Sequence, residues 1–213
     1  MNNTTKRIVA LLAAIAAGTV PSGQVDAQPT VEAALTHQSR TAQVPLYLSG
    51  RRSIAVVKIG DHPPSPVVFD TGTSGNALDA DYAAALKLEK DPDVEVEVVD
   101  GSTGKSFMAW QAKLPRATLG GVEMSEKVAT VYPYKERDVV GIFGPSSFAG
   151  RLVLLEIGKG RLILRDKQPS AMPKRPGTPY LGTGSGGSLP AIAVELPGLT
   201  VPALLDSGNT SPL

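Results

Sequence analysis

Two stretches of the chain, Ile54–Ser74 (IAVVKIGDHPPSPVVFDTGTS) and Ile192–Ser211 (IAVELPGLTVPALLDSGNTS), repeat one pattern. Each runs from a β-branched strand through a Gly-containing turn into a second apolar strand. Each then ends in Asp, a hydroxyl residue and Gly. The acids are Asp70 and Asp206, 136 residues apart. A single Asp-Thr-Gly reads as a surface turn, because Asp and Gly are ordinary turn residues. Three features together argue otherwise for the pair. Each Asp follows a wholly apolar run (Val67-Val68-Phe69 and Ala203-Leu204-Leu205), which carries it inward. Each is followed by a hydroxyl and then Gly. Each recurs at the same place in a repeated unit, and repeats are read before motifs.

Working outward, Ile54–Ile59 and Pro66–Phe69 read as a hairpin around Gly60-Asp61 and Pro63-Pro64. Asp79 has the chemistry of an N-cap, and Tyr82, Ala83 and Leu86 form an apolar stripe, so a short helix is expected over 80–88. Val94–Val99 alternates, and with Phe107–Leu114 it forms a long hairpin whose polar tip is Asp100–Gly104. Further strands are expected at 116–119, 122–131, 152–157 and 161–165, with a tight turn at Gly158-Lys159-Gly160. The expected fold class is all-β with one short helix. Residues 168–188 are Pro- and Gly-rich without an apolar period and read as a linker. Residues 189–213 are β-rich again.

Composition removes whole classes of function. The chain has 213 residues, no Cys and two His. That excludes a thiol nucleophile, disulfides, Cys-ligated zinc and a three-histidine metal site within one chain. The formal charge of +1 shows no nucleic-acid surface. Gly182-x-Gly184-x-x-Gly187 matches a dinucleotide fingerprint in letters only. It lies in the Pro/Gly linker before a strand, where that motif needs a strand before it and a helix after it. His37 and His62 read as solvated loop residues.

The N-terminus has the layout of a secretory signal. Lys6 and Arg7 precede the apolar run Ile8–Ala17, and Val25-Asp26-Ala27 fits a small-x-small cleavage site. The run is shorter than the roughly 20 residues needed to span a bilayer. Residues 1–27 are therefore expected to be removed on export to the periplasm or outside, with no stable membrane span left. Residues 28–45 read as an extended arm.

At Phe69-Asp70-Thr71-Gly72-Thr73-Ser74 and Leu205-Asp206-Ser207-Gly208-Asn209-Thr210 the sequence resembles the aspartic proteases, the pepsin and retropepsin superfamily. Gly141-Ile142-Phe143-Gly144 resembles the two-apolars-then-Gly element behind the catalytic loop of that fold. The resemblance covers one lobe, about residues 46–167, and the opening of a second. It looks closest to bacterial exported proteases with two such repeats. It implies a retropepsin-like β-barrel lobe and an aspartic endopeptidase acting on peptide or protein, with no cofactor and no metal.

The resemblance also implies roles. Asp70 and Asp206 are the catalytic pair. Two carboxyls that close cannot both ionise, so they keep one proton between them, as the aspartic proteases themselves exemplify. One activates water and the other polarises the scissile carbonyl. Thr71 and Ser207 are expected to hydrogen-bond across to the opposite half. Gly72 and Gly208 allow the tight turns. Thr73 is expected to hydrogen-bond the acid, whereas Asn209 departs from the family's small residue. Residues 96–111 correspond to the flap, which here lacks a Tyr; Phe107 and Trp110 read as packing residues. Seven residues follow Asp206, where a second lobe needs about 100 more. The chain is thus expected to be a fragment of a longer two-lobed enzyme or a truncated frame, unless two first lobes pair as a homodimer. The rival reading is a lobe that binds extended peptides by strand addition without cleaving them.

Overall fold

The computed structural model describes residues 41–100, 103–134, 138–166, 181–183 and 187–209. The expected signal segment 1–27 and most of the arm lie outside the described residues, as does residue 210. The strands are β1 (Ala42–Pro45), β2 (Tyr47–Ser49), β3 (Arg52–Ile59), β4 (Ser65–Phe69) and β5 (Ala77–Asp79). Helix α1 (Ala80–Ala85) follows, then β6 (Lys90–Val99), β7 (Ser106–Lys113), β8 (Ala117–Leu119), β9 (Val122–Glu123), β10 (Val128–Tyr132) and β11 (Gly141–Phe143). The chain continues as β12 (Arg151–Glu156), β13 (Arg161–Asp166), β14 (Leu181–Thr183), β15 (Gly187–Leu196) and β16 (Leu199–Leu204). Among the described residues the fold is all-β with one α-helix.

Ten strands form the main sheet in the order β6-β7-β10-β5-β11-β4-β3-β8-β9, with β2 added on β3. Two of its pairings are parallel, β10 on β5 and β11 on β4. β11 therefore lies between the strand that precedes the first Asp-Thr-Gly and the strand that follows it. The two ends of this order do not meet, so no barrel is closed among the described residues, unlike the barrel expected from the sequence. β1, β13 and β12 form a second sheet, and β14, β15 and β16 a third.

Because successive strand residues face opposite sides, the register assigns each apolar residue to a face. Phe69 pairs with Phe143, and Leu78 with Val131; all four are buried in the main core with Ile59, Leu119, Leu162 and Leu164. One residue back, Ile54, Val68 and Ile142 are in register on the other side. With Val139 and Tyr134 they form a second, smaller apolar cluster. β4 thus carries apolar side chains on both faces, which explains its unbroken Val67-Val68-Phe69 run.

Several expectations change in detail. The single strand expected at 122–131 is two, β9 and β10. Between them Met124 turns into the core and donates its N–H to the Ala117 carbonyl (2.9 Å), and Ser125 N–H goes to Ser147 (2.8 Å). The last four residues of the expected arm, 42–45, are a strand on β13, because Val44 is buried against Gly120, where a side chain would collide with it. The turn at 158–160 is a 3-10 turn, Ile157–Lys159, closed by Gly160 at φ 60. Part of the expected linker is strand: β14, and the start of β15. Residues 167–180 and 184–186 of that region lie outside the described residues.

Helix α1 begins as expected. Asp79 Oδ1 accepts from the N–H groups of Asp81 (2.9 Å) and Tyr82 (3.2 Å). Its Oδ2 accepts from Tyr134 N–H (3.0 Å), so one carboxylate ties the helix start to the segment leaving β10. The helix ends in a Schellman turn, with Leu88 N–H on Ala83 (3.0 Å) and Lys87 N–H on Ala84 (2.9 Å).

Candidate active site

Asp70 stands where β4 ends, and its N–H donates to the carbonyl of Phe143 (3.0 Å). Behind the loop lies Gly144. A Cβ there would sit 2.8 Å from Thr73 Cγ2 and 3.0 Å from the Thr73 carbonyl. At the other end of the same element, a Cβ on Gly141 would run into the Ala77 carbonyl. Gly141-Ile142-Phe143-Gly144 therefore needs both glycines for the same reason: the Asp70 loop and β5 press against its backbone.

The second Asp-Ser-Gly comes from the residues just after β16 and meets the first head-on. Thr71 N–H donates to Ser207 Oγ (3.0 Å), and Ser207 N–H donates to Thr71 Oγ1 (3.1 Å). Each hydroxyl then donates onward, Thr71 Oγ1 to the Leu205 carbonyl (2.5 Å) and Ser207 Oγ to the Phe69 carbonyl (3.1 Å). The two hydroxyls use donor and acceptor capacity alike, and together they join the halves by four hydrogen bonds.

This exchange brings the carboxyls together. Asp70 Oδ1 accepts from Gly72 N–H (2.7 Å) and Gly208 N–H (3.1 Å). Asp206 Oδ1 accepts from Gly208 N–H (2.8 Å) and Asn209 N–H (2.9 Å). A Cβ on Gly72 would lie 2.6 Å from the Asp206 carboxyl carbon, and one on Gly208 would lie 2.5 Å from Asp70 Oδ2. Each glycine leaves the space that the opposite acid fills. Thr73 behaves differently from expectation: its hydroxyl donates to the Gly75 carbonyl (3.2 Å) rather than to the acid. Asn209 contributes its backbone N–H to Asp206.

The environment of Asp70 favours the neutral carboxyl. Burial is the main cause and raises its pKa to about 6; the hydrogen bond and the charge of Asp206 push the same way, while the N–H groups of Gly72 and Gly208 oppose. Asp206 is exposed.

The expected flap is the β6–β7 hairpin, in register from Glu95–Trp110 to Val99–Ser106. Trp110 packs on the main core. Phe107 meets Tyr132 of β10 edge-on, ring centres 5.0 Å apart, and Tyr132 meets Tyr134 at 6.1 Å. Burial pushes the Tyr132 hydroxyl up to about 12, and the charges of Asp100 at the hairpin tip and of Asp70 add to it. The hairpin has no Tyr of its own, yet one from the adjoining strand lies against it. His62 is exposed in the β3–β4 turn. Gly182 and Gly187 belong to neighbouring strands β14 and β15, so no helix follows either. Among the described residues no helix is long and apolar enough to cross a membrane.

Residues 55–146 match the family model described as aspartyl protease. No curated protein matches the chain. Among solved structures it is similar to a retropepsin-like aspartic protease from Rickettsia conorii, at 16% identity and a TM-score of 0.46, over 61% of this chain and 92% of that one. The matched segment begins in β3 and ends just beyond Gly144, and so holds Asp70, its loop and the element behind it. On that match, residues 55–146 are similar to the aspartyl protease family.

Proposed function

We propose that this protein is an aspartic endopeptidase in which Asp70 and Asp206 share one proton and activate a water molecule between them. The observation that carries the reading is the reciprocal fit of each carboxyl against the other half's glycine, 2.6 Å from a Cβ on Gly72 and 2.5 Å from one on Gly208. The ionised member takes a proton from water as it attacks the peptide carbonyl. The protonated member hydrogen-bonds the carbonyl oxygen and later supplies the proton that the leaving amine needs. Thr71 and Ser207 hold the spacing of the pair, and the N–H groups of Gly72 and Gly208 orient the carboxylate oxygens. The raised pKa of Asp70 suits work at acidic pH. The same proposal has the protein exported, with the mature chain starting at Gln28; N-terminal sequencing of the secreted protein checks that boundary.

A second reading, peptide binding without cleavage, draws on the exposure of Asp206. An open site lets bulk water compete with the water that the pair must order. Pepstatin-sensitive cleavage of a denatured protein near pH 4–5, lost in both Asp70→Asn and Asp206→Asn, supports the enzyme. Loss in Asp70→Asn alone assigns the pair to two copies of Asp70 in a homodimer. Peptide binding with no cleavage at any pH supports the second reading.

A further inference from the structure

The Asp70 loop is held at both ends by one segment, Phe143–Ser147. At its start, Asp70 N–H is bonded to the Phe143 carbonyl (3.0 Å). At its end lies Asn76, which is buried, and whose Oδ1 accepts from the hydroxyl of Ser147, which is also buried. Asn76 makes further hydrogen bonds. Its Nδ2 donates to the Val128 carbonyl (3.4 Å), and its own carbonyl accepts from Thr130 N–H (2.9 Å). Ser147 is likewise fixed. Its N–H donates to the Gly144 carbonyl (3.1 Å), and its carbonyl accepts from the N–H (2.8 Å) and hydroxyl (3.0 Å) of Ser125. Ser125 Oγ in turn accepts from Ala149 N–H (2.8 Å).

We propose that Asn76 and Ser147 are positioning residues for the catalytic pair: their buried hydrogen bond clamps the exit of the Asp70 loop against the segment that also holds its entrance. The physical argument is one of alternatives. An apolar pair of similar volume fills the same space without the desolvation of two polar groups, and such replacements are often neutral for stability. A buried polar pair, by contrast, is directional and admits one arrangement. Between the two anchors lie the residues whose placement the chemistry needs: the Asp70 carboxyl, Thr71 that meets Ser207, and Gly72 that faces Asp206. A slip of the loop exit moves all three together. Reacting groups displaced by about 1 Å lose on the order of 100-fold in rate.

The inference rests on the proposed protease reading only for its kinetic readout; the titration of Asp70 tests it independently. The full chain is compared with Ser147→Ala, Ser147→Thr and the double variant Asn76→Leu/Ser147→Ala, which removes both partners of the buried hydrogen bond. The Asp70 carboxyl is titrated by its 13C shift, and kcat and KM are measured on a denatured protein substrate. In Ser147→Ala and in the double variant, the Asp70 midpoint is expected to fall from about 6 toward the ordinary carboxylate value of 3.8 as water reaches the loosened loop. Over the same variants kcat should fall at least about 10-fold with KM changed by less than about 3-fold. Ser147→Thr, which keeps the hydroxyl, should restore both. Folded Ser147→Ala or double variants with the wild-type midpoint and kcat overturn the proposal, as does a Ser147→Thr protein that is folded yet no better than Ser147→Ala. If the wild-type chain cleaves nothing, the protease reading fails, and the Asp70 midpoint alone decides the clamp. If Ser147→Ala does not fold, the double variant decides it.

Discussion

Gly208 donates its N–H to Oδ1 of Asp70 at 3.1 Å, across the junction between the two repeats, while also donating to its own Asp206 at 2.8 Å. One backbone hydrogen is shared by both acids. Gly208 can do this only because it has no side chain, since a Cβ would lie 2.5 Å from Asp70 Oδ2.

Gly208→Ala should therefore force the carboxyls apart. Cleavage is expected to fall by at least about 100-fold, the loss that a displacement of about 1 Å produces. Gly208 contributes nothing to the main core, so thermal unfolding followed by far-UV circular dichroism should change by only a few degrees, on the order of 1 kcal/mol. Retention of full activity would show that the two acids do not act as a pair.

The titration of Asp70 sets a pH dependence of stability. Its pKa is about 6 in the folded protein, against 3.8 for the free group. Between those values the folded state binds more protons than the unfolded one, so stability falls as pH rises through that window. The contribution is fully present below about pH 4 and lost above about pH 6. Midpoints of urea unfolding measured between pH 3.5 and 7 should show this fall in the wild type. In Asp70→Asn the component should vanish.

Lys87 ends helix α1 at φ 55, in the left-handed region where a Cβ is strained. The Schellman hydrogen bonds there are already formed, so a glycine keeps the geometry and removes the strain. Lys87→Gly should stabilise the protein by about 0.5–1 kcal/mol, seen as a rise of roughly 2–4 °C in Tm. A fall in Tm would mean that the Lys87 side chain does more than occupy the turn.

The β6–β7 hairpin is tied to its own lobe by the Phe107–Tyr132 edge contact. Such a contact is worth about 0.5–1.5 kcal/mol beyond burial. Phe107→Leu should raise the open fraction of the hairpin by several-fold, and trypsin should cut faster at the exposed Lys105. KM for a peptide substrate should rise in the same variant, because the hairpin excludes water only when closed. Unchanged proteolysis would place the hairpin's anchor elsewhere, with the Trp110 contact on the main core as the next candidate.

Much of this protein is local and so is legible in its residues. Strand and turn chemistry point to β3, β4 and α1, because β-branched runs, Gly/Pro punctuation and an Asp N-cap act over a few residues. The two Asp-hydroxyl-Gly motifs stand out because they recur after matching apolar strands. The Gly at each end of Gly141–Gly144 stands out because close backbone approach leaves a mark in composition. What depends on register and long-range pairing leaves no such mark. No local pattern tells that β11 inserts between β4 and β5, that residues 122–131 break at Met124, or that residues 42–45 join β13. Nor does any motif single out Asn76, Ser147 or Tyr132, whose partners lie 71 residues away for Asn76 and on a neighbouring strand for Tyr132. Thr71 and Ser207 could be named as a pair from the repeat, but that each hydroxyl both accepts from and donates to the other half is a property of the assembled loops. The chain alone determined which acids could meet. The tertiary structure decided how they meet, because hydrogen-bond direction and the space left by a missing side chain exist only once distant segments are packed together.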